Sequence, residues 1–338
     1  MAAYPARESE AAAIGVRTLL AAGARGAFDP MPSGAGARPF YHVVAFVPSG
    51  ASSSARRSAL RRQFSRSAAL LPAGLRARLF FVLGTEAVSL VKEEDAALGD
   101  LLFVPCADVD GDSEPPAKSA TTCKIVRALH YASAELDFLY WARVGDDAFF
   151  RVDTFLTRLA PAHTGGVGSP SGGDGHAPPF APFDILARFI PGGPLAPALQ
   201  AAYATDTLAA YPSGMGYIFS ARLVRALVAV DEQVGLIDGY PEDGVAGLWM
   251  SGLNVARVDS PCLHDTALLP EAGERDWSNL RMSWGGGFTP RMPWEPPARR
   301  FNAGPCSEDS ILVHYMTQDL WDAIGEDGVL RACGSMRA

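Results

Sequence analysis

The residues best suited to chemistry are an acidic pair, Asp146-Asp147, set directly after an apolar run. Leu139–Val144 is apolar, aromatic and β-branched, short enough to be one buried strand, and it ends in Gly145-Asp146-Asp147 before returning to Phe149 and Phe150. Carboxylates at the C-terminal end of a buried strand are costly unless something pairs with them. In open α/β sheets that end is also where ligands bind. A hard divalent cation carrying substrate phosphates is one fitting partner. A polar turn closing the strand is the plainer reading of the same three residues.

Other groups carry weaker signals. Glu242-Asp243, after Tyr240-Pro241, opens an apolar segment, where acids suit a helix N-terminus. His314 ends the short apolar stretch Ile311–Tyr315, a place for either a structural histidine or a metal ligand. His264, in Cys262-Leu263-His264-Asp265, ranks below it. Arg57 and Arg61 share one helix face, and basic residues in a first helical turn oppose the helix dipole. A nearby anion would answer them, and so would a solvated face. Asp108, Asp110, Asp112 and Glu114 have a calcium-loop look, but the Gly and closing Glu are misplaced for one, leaving a solvated acidic loop.

The elements that must position these residues can be read from periodicity. Strands are expected at Tyr41–Val47, Arg78–Gly84, Leu101–Val104, Leu139–Val144, Val255–Val258 and Ile311–Tyr315, and Tyr211–Ser220 is expected to give a Gly-bearing turn and a short strand. Helices are expected over Arg56–Phe64, with Ser53 or Ser54 as cap, and over Lys118–Leu136, where Ile125, Leu129, Ala132 and Leu136 make one face. Others follow at Asp153–Leu159, Ala221–Val230 and Gly244–Met250, with a last one bearing Leu320 and Trp321. This alternation predicts an α/β fold, a mainly parallel central sheet flanked by helices. Residues 1–39 read as a poorly ordered lead-in, 40–325 as a single domain with a Gly- and Pro-rich surface excursion at 161–200, and 326–338 as a tail.

Composition narrows the class. Apolar residues at 48% indicate a globular chain, and a net charge of −8 argues against nucleic acid as partner. The 5 cysteines include no C-x-x-C pair, which disfavours zinc; three fall in the last quarter, where a staple or buried free thiols would fit. No apolar run of membrane-spanning length occurs, so the expectation is a soluble chain or an anchor upstream of Met1.

Taken in chain order, the blocks resemble glycosyltransferase family 31, the β-1,3-galactosyl and N-acetylglucosaminyl transferases. Arg56–Phe64 is similar to the family's Arg-Arg-x-Ala-Ile-Arg-x-Thr-Trp helix. Phe81–Gly84 with Gly99–Leu102 resembles its Phe-Leu-Leu-Gly and Tyr-x-Asp-Ile-Ile pair, and Arg143–Arg151 its Lys-Thr-Asp-Asp-Asp-Val-Phe-Val-Asn. Tyr211–Ser220 and Pro241–Gly247 resemble its Tyr-Pro…Ser-Gly-x-Gly-Tyr-Val-Leu-Ser and Glu-Asp-Val-x-x-Gly. The resemblance covers roughly residues 40–325. It implies a GT-A fold, a UDP-sugar donor, Mn2+ or Mg2+, a glycan acceptor and inverting transfer of galactose or N-acetylglucosamine in the Golgi lumen, with a β-1,3 linkage. Carried over, Asp243 is the catalytic base, Asp147 and His314 are metal ligands, and Asp146 lies near the donor with Arg57 and Arg61. One departure stands out: Gly145 replaces the first acid of the family's D-x-D. Coordination would then rest on Asp147, His314, phosphate oxygens and water, and a catalytically silent nucleotide-sugar or glycan-binding protein is the competing expectation.

Overall fold

The computed structural model describes residues 38–109, 119–159, 183–194, 200, 204–237, 239, 242–260, 263–265 and 312–314. Their backbone is an α/β fold built on a seven-stranded, mostly parallel sheet, in the order β10-β6-β9-β4-β1-β2-β3. Its strands are β1 (Phe40–Pro48), β2 (Ala77–Gly84), β3 (Leu101–Val104), β4 (Asp137–Val144), β6 (Ile185–Ile190), β9 (Tyr211–Ser220) and β10 (Arg257–Asp259). The expected mainly parallel sheet flanked by helices is present, with β9 antiparallel to both β4 and β6. A second small sheet joins β5 (Phe149–Phe150), β11 (Leu263–Asp265) and β12 (Leu312–His314), and a two-stranded ribbon joins β7 (Gly193–Pro194) to β8 (Thr207–Leu208).

The longer helices are α1 (Ser54–Ala69), α2 (Lys92–Leu98), α3 (Ala120–Glu135), α4 (Ala221–Val234) and α5 (Glu242–Ser251), and the helix expected at Asp153–Leu159 is a short turn, Val152–Thr154, running into a π-helix, Phe155–Leu159. On one sheet face, Ile125, Leu129, Leu223, Leu227, Val245 and Met250 pack against Phe46, Phe80, Trp141 and Phe219. On the other, Leu60 and Phe64 of α1 pack against Val43, Phe81 and Tyr140. The alternation of the strands supplies both faces, since successive side chains point opposite ways. Stacked rings carry the core across three strands: Phe46 lies 5.6 Å from Trp141, and Trp141 5.5 Å from Phe219. Ser119 and Ser220 start α3 and α4 as N-caps, accepting from Thr122 N and Leu223 N.

Two expectations need correction. Part of the supposed surface excursion, Ile185–Ile190, is a core strand between β10 and β9, with Ile185, Leu186 and Ala187 fully buried. Its Gly- and Pro-rich surroundings hid a six-residue run from a periodicity argument. The whole of Tyr211–Ser220 is one strand, not a turn followed by a short one. In addition, Cys106 and Cys123 form a disulfide, a pairing for which the sequence offered no signal. The lead-in up to residue 37, the acidic residues Asp110–Glu114, the excursion at 161–182, Cys262, Cys306 and Cys333, and the helix around Trp321 lie outside the described residues.

The sheet order creates a switch point. From β1 the chain moves outward to β2 and β3, then crosses back to place β4 on β1's other side. The carboxyl ends of β1 and β4 flank this switch point, the kind of place where open α/β sheets bind ligands.

Candidate active site

The acidic residues follow β4 at that switch point. Ala148 N donates to Gly145 O at 3.2 Å, closing a turn with Asp146 and Asp147 at its corner. The backbone bend separates two neighbouring carboxylates. Asp146 points towards α1, where Arg56 Nη1 binds its Oδ1 at 3.0 Å and the Ser53 hydroxyl also reaches it. It bridges the switch point and places negative charge at the start of a helix with no acid in its own first turn. Burial raises the Asp146 carboxyl above its ordinary range, opposed by Arg56 and reinforced by Asp147.

Asp147 turns the other way and folds back over Gly145. A Cβ built on Gly145 would stand 2.8 Å from Asp147 Oδ1. The position that carries the first acid of D-x-D in the resembling family is thus overlaid by the carboxylate of the third.

β9 brings the second carboxylate to the same place. Gly145 N donates to Met215 O, and Val144 pairs with Gly216. Gly216 has φ +150°, and a Cβ there would come within 2.7 Å of Arg143 O and 2.6 Å of a Leu312 methyl. Only glycine allows β9 and β12 to close on this point. Next to it lies Gly214, where an added Cβ would stand 3.1 Å from Asp243 Oδ2. Asp243 itself belongs to the first turn of α5, accepting from Gly244 N at 2.8 Å and from Gly214 N. Burial pushes the Asp243 carboxyl up to about 6, helped by Glu242 and opposed by those two N–H groups and Arg143. The Tyr211 phenol is pushed up to about 12 by burial and then by Asp243.

Asp147 and Asp243 therefore both lie near the Gly214–Met215 stretch of β9, and Arg143 senses both charges. Arg143 ends β4 with its side chain inside, donating to Gly214 O and pairing with Glu242 Oε2 at 3.2 Å. Tyr217 donates to the other oxygen of Glu242. Glu242 is thus buried and bonded, which goes beyond simple capping. The sequence reading passed over Arg143. Its signal was a lone arginine in an otherwise apolar strand, close in chain order to the carboxylate turn.

Arg57 and Arg61 are placed elsewhere. Arg57 is fully buried, donating to Glu94, Ser49 Oγ and Gly50 O. Arg61 forms a fork with Asp100 at 2.7 and 2.8 Å and also pairs with Glu94 at 2.7 Å. The anions that answer these two in the folded chain are its own carboxylates, Glu94 of α2 and Asp100 just before β3, so the face is not a solvated one. Arg56, one residue earlier, is the member of the cluster that reaches the acidic turn. Asp108 is likewise no solvated loop acid: its carboxylate accepts from Ala51 N at 2.7 Å and Gly84 N at 3.1 Å.

His314 ends β12. That strand pairs antiparallel with β5 through Val313–Phe149, so position 314 lies one residue beyond, at the acidic-turn end of β5. His264 pairs with Val313 on the far side of β12. Among the described residues no three acidic, His or Cys side chains cluster as a metal site. The chemistry of the donor set nonetheless fits a hard cation held largely by its substrate: one turn carboxylate, with the end of β12 beside it.

No protein-family model matches the sequence, and no curated protein matches it. Several solved glycosyltransferases are similar to it in structure. The galactosyltransferase LgtC, in complex with donor and acceptor sugar analogs, is 11% identical with a TM-score of 0.37, over 88% of this chain and 96% of that one. GlyE of Streptococcus pneumoniae TIGR4 is 8% identical with a TM-score of 0.35, over 83% of this chain and 55% of that one. The bifunctional WbbM is 13% identical with a TM-score of 0.38, over 86% of this chain and 47% of that one. These likenesses assign no role to any residue of this chain.

Proposed function

We propose that the chain is a GT-A glycosyltransferase of the family 31 type, moving a hexose from a UDP-sugar to a hydroxyl of a glycan acceptor with inversion. The observation that carries this is the approach of the Asp147 turn and of Asp243 to the same stretch of β9, Gly214–Met215, beside the β1–β4 switch point. A nucleotide lying over the switch point would reach the acidic turn with its diphosphate. Asp147, with His314 at the end of β12, would hold Mn2+ or Mg2+ there. When bound, that cation neutralises charge developing on the departing diphosphate.

The chain's own residues do the rest. Asp243 accepts the proton from the acceptor hydroxyl as that oxygen attacks the anomeric carbon, and its raised ionisation range suits a general base working near neutral pH. Asp146, fixed by Arg56 and Ser53, stands on the donor side. Galactose is the donor sugar favoured by the resemblance, then N-acetylglucosamine, with a β-1,3 linkage. The Cys106–Cys123 disulfide supports an oxidising compartment, in keeping with the Golgi lumen. Among the described residues no helix is long and apolar enough to cross a membrane.

The test is a donor screen with UDP-galactose and UDP-N-acetylglucosamine, with and without Mn2+, on wild type and Asp243→Asn. Transfer should require the cation, and Asp243→Asn should lose it by at least about a hundredfold while still binding donor. Retained turnover removes Asp243 from its role. Gly145 favours a second reading, a nucleotide-sugar-binding protein without turnover, and calorimetry showing donor binding with no transfer to any acceptor would select it.

A further inference from the structure

Arg143 has no part in the proposed chemistry, yet it is the cation between its carboxylates. Its guanidinium donates to Gly214 O and pairs with Glu242, while Nε is buried without a hydrogen-bond partner. Glu242 is 6% exposed and takes a second hydrogen bond from Tyr217, itself fully buried. Gly214, whose carbonyl Arg143 holds, gives its N–H to Asp243. One side chain of β4 thus grips both the residue before Asp243 and the residue against which the Asp243 carboxylate rests.

We propose that Arg143 is a positioning residue for Asp243: its buried guanidinium clamps Glu242 and Gly214 together, and so fixes the start of α5 against the middle of β9. The proposal rests on the reading of Asp243 as proton acceptor. Charge supports the geometry. The groups facing Asp243 are Glu242 from α5, Arg143 from β4, and Tyr211, Tyr217 and Gly214 N from β9. Burial works against the Arg143 charge, and Glu242, Tyr217, Asp243 and Asp147 more than offset it. Without the guanidinium, two adjacent acids would share a buried place with no cation, and Asp243 would hold its proton to higher pH. A base that stays protonated cannot accept a proton.

A lysine at 143 keeps the charge but cannot fork to two partners as arginine does. Arg143→Lys should therefore lower kcat by about tenfold, with donor KM within about twofold. Its acid limb of kcat/KM should stay where the wild type has it. Arg143→Met should move that limb upward by about one pH unit or more. Glu242→Gln keeps the shape and leaves Arg143 facing Asp243 alone, so the limb should move down; this variant decides the matter if Arg143→Met does not fold.

The same titrations are read without turnover from selectively carbon-13-labelled aspartate carboxyls, with the Asp243 signal assigned by its loss in Asp243→Asn. An Asp243 titration unmoved in Glu242→Gln, or unmoved in a folded Arg143→Met, overturns the clamp. A carboxyl titration that moves while the rate profile does not would keep the clamp and remove Asp243 as the base. The two failures are therefore distinct.

Discussion

Asp243 stands beside Glu242 with its carboxylate pressed against Gly214, and that arrangement destabilises the fold whenever Asp243 is charged. The sign follows from linkage. A carboxyl whose folded value is raised to about 6 keeps its proton over a range where the unfolded chain has released it. Stability is then fully present below the unfolded value, near 4, and declines as pH rises through the folded one. Asp243→Asn removes the penalty and retains an oxygen for the Gly244 and Gly214 N–H groups. The variant should exceed wild type by on the order of 2 kcal/mol at pH 8, with the gap closing towards pH 4, in denaturant unfolding at both values. An equal gap at the two pH values would refute the ionisation account. Gly145 makes a second residue-scale prediction. Asp147 Oδ1 lies where a side chain at 145 would start, but it is the far end of a movable group. Gly145→Asp should displace that carboxylate, set two acids on one side of the turn, and tighten Mn2+ binding by about tenfold in a metal titration. Unchanged affinity would mean that the acidic turn does not hold the cation.

At the scale of elements, β4 and β9 explain both what was legible and what was not. β4 is a run of eight residues whose apolar character announces a buried strand, and its acidic end was visible because charge there contrasts with everything before it. The link between that end and Asp243 was not visible, because it runs through Gly145 N, Met215 O and Gly214, all backbone. Periodicity records side chains and is silent about which main-chain groups meet. Chain order in the resembling family supplied the pairing that the local pattern lacked. The partners of Arg57 and Arg61 were missed for the opposite reason. Their spacing correctly placed them on one face of α1, but Glu94 and Asp100 lie 37 and 39 residues on, and only the pairing of β2 with β3 delivers them. A basic face seen alone looks free for a ligand; the folded chain has already neutralised it. β6 was missed because the segments around it read as loop, although its own six residues pack in the core.

For the whole molecule, the switch point depends on loops from three strands being held in one place. Asp108, just past β3, accepts from Ala51 N after β1 and from Gly84 N at the end of β2. Lys124 of α3, almost wholly buried, donates to Ser49 O at 2.8 Å and to Asp108 O. A Cβ on Gly84 would lie 2.5 Å from Cys106 O, so the β2 and β3 ends touch through backbone. The Cys106–Cys123 bridge closes this knot across 17 positions, tying the loop after β3 to the first turn of α3. Closing a loop of that length restricts the unfolded chain by about 3 kcal/mol. A Cys106→Ala/Cys123→Ala pair should lower the unfolding free energy by about that amount. Because the knot supports the β1 and β2 loops beside the proposed donor site, the pair should also raise donor KM. Asp243 is held instead by β4, β9 and α5, so its carboxyl should titrate at the wild-type pH. The knot and the proton acceptor would then be separable parts of one site. A shifted Asp243 titration in the folded double variant would show that the disulfide governs both.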